Sequence, residues 1–261
     1  MRFPILTLAI LVLPLVFLTG EVRAQDDNDG KKAIATSDIT SEAKPSAAEN
    51  EPAKPKQKLF WVFLNSGKSM EGIEADKVKQ MQTQHLENFK RLADEGILVS
   101  AGSVTDPADS MQGVAIVTGD QSPLQMFKDD ELVESGFRNV NVTKMQLEHG
   151  VINAGKSGRS GMQEYRMVLL EKDAKATDAE NQSVLSDSRK VIKSMYEDED
   201  VKLAVRLERN KMGRELVLVL DKPEEETAIK ARLQKIPAVS SGLWKVRIIP
   251  VFFGKGTLNQ S

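Results

Sequence analysis

Two uninterrupted apolar runs restrict the folds open to this chain. The first, residues 59–64, is LFWVFL, and the second, residues 216–220, is LVLVL. A strand with one face in water alternates apolar and polar residues, whereas a continuous run of strand length is typical of burial on both faces. The sequence therefore predicts two sheets, each covered on both sides.

The elements around the first run follow the order βαββαβ. The helical patterns place apolar side chains at three- and four-residue steps, and the strand patterns are separated by turn residues. The predicted strands are residues 59–64, 97–104, 113–117 and 137–147, and the predicted helices are residues 76–95 and 123–134.

The second half repeats that order with little residue-level identity. Pro250 falls in its last strand, and because proline donates no ladder hydrogen bond, we expect it at an edge or a bulge. The predicted strands are residues 165–170, 201–207, 215–220 and 245–253, and the predicted helices are residues 178–196 and 224–236.

This organisation predicts an α+β fold of tandem ferredoxin-like repeats. Each βαββαβ unit forms a four-stranded antiparallel sheet with both helices on one face, so its other face needs a cover. We expect the two units, residues 58–149 and 162–256, to pack sheet to sheet as an internal dimeric α/β barrel, joined by a flexible linker at 150–161. The chain would then be a monomer containing an internal pseudo-dimer.

The first 57 residues are predicted to lie outside that fold. Arg2, a short apolar stretch at residues 5–18 and the sequence Val22-Arg23-Ala24 are typical of a signal peptide over residues 1–24, and an uncleaved anchor is the alternative. Residues 25–57 hold almost no large apolar side chain and are predicted to be a disordered linker. The protein is therefore expected to be exported, periplasmic or secreted, and free of the membrane after cleavage.

The composition removes several classes of function. With 36 basic and 38 acidic residues the net charge is -2, so nothing draws the chain to nucleic acid or an anionic membrane. The absence of cysteine excludes disulfides, thiolate nucleophiles and cysteine-ligated zinc. With only two histidines, no metal site and no cofactor are expected, and a small molecule is the expected ligand.

The first half resembles the YCII-related family, a group of small ferredoxin-like domains that pair into dimeric α/β barrels. The resemblance is carried by the segments HLENF at 85–89, LVSAGS at 98–103 with the Asp106-Pro107 pair beyond it, and DDELVESGF at 129–137. It implies a proposed active site in which a helix histidine and a later aspartate, here His85 and Asp106, form the polar core. In the second half Asp187 and Glu208 stand at those positions by spacing, so one competent site is expected.

His85 is the leading candidate catalytic residue. It lies between Met81 and Phe89 on the apolar stripe of its helix, so it should face the sheet or a cavity. Imidazole suits general acid and base chemistry, and a carboxylate such as that of Asp106 would fix its tautomer. The alternatives are a core histidine bonded to a backbone carbonyl, and an aspartate that caps a turn.

Gly102 and Ser103 are the candidate substrate-binding residues. A glycine at the end of a strand lets a ligand approach the backbone, although it also serves a bulge or tight packing.

The segment GVINAGKS at 150–157 matches the phosphate-loop pattern. That loop works only between a strand and a helix, and Gly158-Arg159-Ser160-Gly161 will not start a helix. We interpret the segment as a linker, and His149 beside it as a solvated surface residue.

Two functions remain open at this point. The first is a cofactor-independent lyase or isomerase acting on a small organic molecule through a His85–Asp106 acid/base pair. The second is a non-catalytic small-ligand-binding or interaction module of the same fold, in which the space between the sheets holds an apolar molecule or is filled by side chains. Whether the protein is an enzyme is left open by the sequence.

Overall fold

A computed structural model describes residues 58–106, 109–119, 123–153, 161–172, 178–208, 212–221 and 224–259. The predicted signal peptide, the predicted disordered linker and the glycine-rich part of the phosphate-loop match lie outside these residues. No helix among the described residues is both long and apolar enough to cross a membrane.

The described residues form ten strands and five helices, with one 3-10 helix at Pro123–Phe127. The first half contains β1 (Leu59–Ser66), α1 (Ala75–Asp94), β2 (Leu98–Val104), β3 (Met111–Thr118), α2 (Glu131–Glu134) and β4 (Arg138–His149). The rest contains β5 (Val151–Ile152), β6 (Met162–Lys172), α3 (Asp178–Glu197), β7 (Leu203–Leu207), β8 (Arg214–Leu220), α4 (Glu226–Leu233), α5 (Pro237–Ser240), β9 (Trp244–Gly254) and β10 (Leu258–Asn259).

Eight strands close into one antiparallel barrel in the order β1-β3-β2-β9-β6-β8-β7-β4. The first half contributes the neighbours β4-β1-β3-β2 and the second half contributes β9-β6-β8-β7. The fold is therefore mixed α+β around a closed eight-stranded barrel.

Two short ladders join the halves. Residues 102–104 of β2 pair with 251–253 of β9, and β4 pairs with β7 between Met145 and His149. The two strand sets are thus hydrogen-bonded to each other along their edges, and their inner faces also lie opposite each other. Closure of the barrel pairs the strand edges at both seams. Pro250 lies one residue beyond the β2 ladder, where its missing N–H removes no hydrogen bond to β2.

The barrel interior is one apolar cluster built by both halves. Its largest fully buried side chains are Trp61, Phe63, Tyr165 and Phe253, and the ring centroids of Tyr165 and Phe253 are 6.0 Å apart in an edge-on arrangement. Each half therefore covers the inner face of the other.

The helices pack on the outside of the barrel in two separate clusters. In the first half Phe89 and Leu92 of α1 join Phe127 of the 3-10 helix against Val62 of β1 and Val117 of β3. In the second half α3, α4 and α5 cover the outer face of β6, β7 and β8. Any site on α1 consequently lies in the outer helix layer.

Three segments differ from the prediction. The predicted helix 123–134 is divided, because Asp130 accepts a hydrogen bond from the Leu132 N–H and starts a new helix. The predicted helix 224–236 ends at Leu233, and α5 begins with proline at its first position, which cannot continue a preceding helix. The first residues of the predicted linker form β5, which pairs with β10 beyond the predicted end of the second domain.

Candidate functional site

His85 lies on the buried side of α1, as its place in the apolar stripe predicts. Its side chain is 14% exposed, and its ring centroid is 4.7 Å from that of Phe89 with an interplanar angle of 51°. The ring therefore packs in the outer helix layer, whereas the barrel interior is filled by strand side chains from both halves. The imidazole therefore lies on the helix side of the sheet and not in the space between the two sheets.

The carboxylate that contacts His85 is that of Asp130. His85 Nδ1 is hydrogen-bonded to Asp130 Oδ2, and the Asp130 side chain is 0% exposed. The second oxygen, Oδ1, accepts the Leu132 N–H at 3.1 Å. A buried carboxylate held by both oxygens fixes the histidine tautomer with the proton on Nδ1.

Three further contacts hold the segment around Asp130 against α1. Lys77 forms an ion pair with Glu131, which follows Asp130 in the chain. The amide of Asn88 donates to the Met126 carbonyl at 3.3 Å, and that of Gln84 reaches the Asp129 carbonyl at 3.5 Å. The segment from Met126 to Glu131 therefore contacts successive turns of α1 around His85.

Asp106 does not take the position of the carboxylate partner. It is exposed beyond the end of β2, and its backbone carbonyl accepts the Asp109 N–H at 3.1 Å. His85 sits on the helix layer, and the turn after β2 does not contribute the carboxylate that touches its ring. The pairing expected from the resemblance is thus replaced by His85–Asp130.

Gly102 and Ser103 lie in the seam between β2 and β9. A Cβ on Gly102 would be 2.8 Å from Cε1 of Phe253 and 3.0 Å from the Phe252 carbonyl oxygen. The packing alternative therefore accounts for this glycine, because the space above it is filled by an aromatic ring. Ser103 pairs with Phe252 in the same ladder, and a substrate contact for either residue stays a prediction.

Arg138, the first residue of β4, carries a cation that is influenced by the charge on Asp130. Burial lowers the pKa of Arg138, and the charge on Asp130 opposes that shift. The Arg138 Nε atom is buried and has no hydrogen-bond partner among the residues that the structure describes. The guanidinium is therefore partly desolvated, and the contacts that build the site itself are those of the imidazole and the buried carboxylate.

The second half carries no equivalent of this arrangement at the positions expected by spacing. Asp187 is exposed and bonded to Lys190 at 2.9 Å, and Glu208 is exposed and bonded to Lys144. His149, predicted to be solvated, instead stacks on Tyr196 with centroids 5.1 Å apart, because the end of β4 runs past α3. Over the described ranges, no group of three or more acidic or histidine side chains is arranged to hold a metal ion.

The sequence analysis missed Asp130 as a site residue. Asp130 has a local signal, since an aspartate before a short apolar helix is typical of an N-cap. Its contact with His85 spans 45 residues and depends on how α2 docks on α1.

Comparison with solved structures supports the fold. A candidate monooxygenase from Fusobacterium nucleatum subsp. nucleatum aligns over 78% of this chain and 98% of its own, with a TM-score of 0.50 and 11% identity. A candidate monooxygenase from Lactobacillus acidophilus gives a TM-score of 0.46 at 12% identity over 78% and 97%, and a candidate chlorite dismutase gives 0.45 at 7% over 76% and 94%. At 11% identity the likeness to the Fusobacterium structure shows a dimeric α/β-barrel fold alone.

No family model matches the chain, and no curated protein matches it. The resemblance to the YCII-related family therefore stays a prediction.

Proposed function

We propose that this protein is an enzyme acting on a small organic molecule, with His85 as its general acid and base and Asp130 as the residue that orients it. The proposal includes the YCII-related ancestry, the tandem ferredoxin-like origin of the two halves and the export predicted from residues 1–24. The contact between His85 Nδ1 and the fully buried Asp130 carboxylate is the observation that carries it.

The arrangement leaves one imidazole nitrogen for chemistry. With Nδ1 donating to Asp130, the lone pair of neutral His85 is on Nε2, which has no hydrogen-bond partner among the described residues. Phe89 packs against the ring and restricts its rotation. A base held in one tautomer and one orientation is ready to take a proton from a bound molecule.

A lyase or isomerase needs little more than this base. Nε2 removes a proton from a carbon next to a carbonyl, and the electron pair of the C–H bond moves to the carbonyl oxygen as an enolate. The imidazolium is stabilised by Asp130 while it carries the proton. In an isomerase the proton returns to a different carbon, and in a lyase the enolate expels a leaving group that receives the proton. No electrons are gained or lost overall.

Deuterium exchange tests the proposal without a known substrate. The purified protein is incubated in D₂O with a panel of small carbonyl compounds, and loss of the C–H signal is followed by proton NMR. His85→Gln is expected to lower the exchange rate by about 100-fold or more, because general acid–base catalysis contributes at least that much. Asp130→Asn keeps the N-cap but removes the charge, and is expected to lower the rate by about tenfold or more.

Two variants serve as matched controls. His149→Gln changes the other histidine of the chain, which stacks on Tyr196 away from the pair, and should leave the rate unchanged. Asp106→Ala decides between the two carboxylates, and it too should leave the rate unchanged. Full exchange activity in His85→Gln, or no exchange above buffer by the unmodified protein, would contradict the proposal and leave the pair as a structural link between α1 and α2.

A further inference from the structure

Charged side chains join the two halves of the barrel beyond the ladder of β2 and β9. Arg247 forms an ion pair with Asp109, whose side chain is 9% exposed. The Oδ1 atom of Asp109 also accepts the Met111 N–H at 2.7 Å, which fixes the carboxylate in place. A second contact is that of the Arg214 guanidinium, which lies 4.2 Å from the centroid of the Phe63 ring. Each contact joins a residue of one half to a residue of the other.

The seam between β4 and β7 has charged contacts of its own. Lys144 forms an ion pair with Glu208, whose N–H donates to the Lys144 carbonyl at 2.9 Å. Arg206 forms an ion pair with Glu148, with Nε and Oε1 3.1 Å apart. At least one side chain of each pair is exposed, so water weakens these pairs more than it weakens a pair that includes the buried carboxylate of Asp109.

The two strand sets correspond position by position, which allows each contact to be compared with its counterpart. Met111 forms the end pair of the β1–β3 ladder, beyond an irregularity in the register. Arg214 forms the end pair of the β6–β8 ladder, beyond an irregularity at the same place. Met111 therefore matches Arg214. Asp109, two residues before Met111, matches Met212.

The matching positions on β4 and β9 follow from the same ladders. Two residues before the end pair on β1, Phe63 pairs with Asn141. At the same place on β6, Leu169 pairs with Arg247. Asn141 therefore matches Arg247. The counterparts of the two partners in the ion pair are thus Met212 and Asn141, and neither carries a charge.

The other seam shows the same asymmetry. Its ladder pairs Leu207 with Met145, which match Val104 and Val251 in the ladder of β2 and β9. Counting from these pairs gives the counterparts of the charged residues. Lys144 matches Pro250, Glu208 matches Thr105, Arg206 matches Ser103 and Glu148 matches Gly254.

Pairing of two like halves would lose these contacts. In a barrel of two first halves, β2 of each copy would pair with β4 of the other, and Asp109 would face Asn141. In a barrel of two second halves, Arg247 would face Met212. A poorly exposed carboxylate that loses its cation is costly, because neither water nor an opposite charge then stabilises it.

The contact between Arg214 and Phe63 would be lost in the same way. Met111 matches Arg214 and has no charge, and Leu169 matches Phe63 and has no ring. Two first halves would lack the cation, and two second halves would lack the ring. Only unlike halves bring the two groups together.

We propose that the charged contacts across the two seams select the pairing of unlike halves, and so keep the first half from joining the first half of a second copy of this chain. The apolar interior does not make this choice, because matching residues such as Val114 and Val217 are apolar in both halves. Selection depends on the difference in free energy between the right and the wrong pairing, and the charged residues supply that difference. The inference is independent of the His85 site.

A transplanted cation tests the selection in the full chain. Arg247→Asn places at this position the residue of its counterpart, and Asn141→Arg then moves the cation into the first half. With Arg247→Asn alone, no pairing contains the ion pair of Asp109. With both changes, only two first halves can form it.

The measurement is the dimer-to-monomer ratio after refolding from urea at high protein concentration, by size-exclusion chromatography with light scattering. The double variant is expected to give a ratio about tenfold or more above that of Arg247→Asn, because close charge pairs at interfaces couple by at least that factor. Gln82→Arg combined with Arg247→Asn has the same net charge as the double variant. Its arginine is on the exposed face of α1, so its ratio should equal that of Arg247→Asn.

A second variant keeps the proposal falsifiable if Asn141→Arg prevents folding. Arg247→Asp places two carboxylates opposite each other in the pairing of unlike halves, and it adds no side chain to the first half. Its dimer-to-monomer ratio should exceed that of Arg247→Asn, and added sodium chloride should reduce the difference. Equal ratios in Arg247→Asn and in either the double variant or Arg247→Asp, with dimers present or absent, would overturn the assignment.

Discussion

Tyr165 shows how the interior affects a single side chain. Its ring is buried against Phe253 inside the barrel. Burial raises the pKa of Tyr165 to about 12, and the nearby charge of Asp221 adds to the shift. Both effects disfavour the phenolate, so the folded state holds the phenol proton more tightly than the unfolded chain does.

Titration of this phenol is therefore expected to be displaced. The chain has two tyrosines, so Tyr196→Phe leaves Tyr165 alone in the ultraviolet tyrosinate signal. Its midpoint is expected at about 12, compared with 10.0 for an unperturbed phenol. Because the folded pKa is the higher one, the stability it contributes is complete below pH 10 and is lost as the pH rises from 10.0 to about 12. A midpoint near that of a free phenol in the folded protein would contradict this.

At the same scale, the sequence predicted one member of the candidate site and missed its partner. His85 stands out because a histidine in an apolar helical stripe is visible in the local period. Asp130 gains its role only from tertiary packing, in which the start of α2 docks on α1. No periodicity carries that information.

At the scale of elements, the seam between β2 and β9 brings the backbones of the two halves close together at a glycine. Gly102 lies across the ladder from Phe253, whose Cε1 atom would be 2.8 Å from a Cβ at this position. The ladder is three residue pairs long, so few other contacts can absorb a displacement. The barrel therefore depends on a small residue at this point.

Gly102→Ala is expected to reduce the free energy of unfolding by about 1–3 kcal/mol, the usual cost of inserting a methyl group into a packed site. Urea denaturation measures the change. Ser103→Ala, next in the same strand, adds no atom at the seam and should cost about 0.5 kcal/mol or less. Adding Phe253→Leu to Gly102→Ala should recover part of the loss, and strictly additive effects would contradict the proposed contact.

The long elements were predictable and the short ones were not. Helix α1 spans Ala75–Asp94 where the period predicted 76–95, and α3 spans Asp178–Glu197 where it predicted 178–196. Helices of 20 residues contain several apolar repeats, so their period is well defined. The two-residue strands β5 and β10 have no period, and they exist because they pair with each other.

At the scale of the molecule, the shared interior predicts a single unfolding event. Trp61 and Phe63 of the first half and Tyr165 and Phe253 of the second half belong to one buried cluster. Removing either half would expose the inner face of the other. The apolar runs predicted that each sheet is covered, but they do not specify which strand edges pair, and so the edge-to-edge closure was not predictable from them.

The two tryptophans test this cooperativity. Trp61→Phe leaves Trp244 as the reporter of the second half, and Trp244→Phe leaves Trp61 as the reporter of the first. In each variant the fluorescence and circular dichroism transitions in urea are expected to coincide, because the two halves share their core. Fluorescence midpoints that separate from the circular dichroism midpoint of the same variant would indicate halves that unfold independently.

The small sheet formed by β5 and β10 brings the two ends of the second half together. Val151–Ile152 precede that half and Leu258–Asn259 follow it, and a further backbone hydrogen bond runs from the Asn153 N–H to the Thr257 carbonyl at 2.8 Å. The chain consequently enters and leaves this half at one place. A segment whose two ends are adjacent can be inserted into a loop of another protein without distorting that loop. It can also be circularly permuted, with its ends joined and a different loop opened.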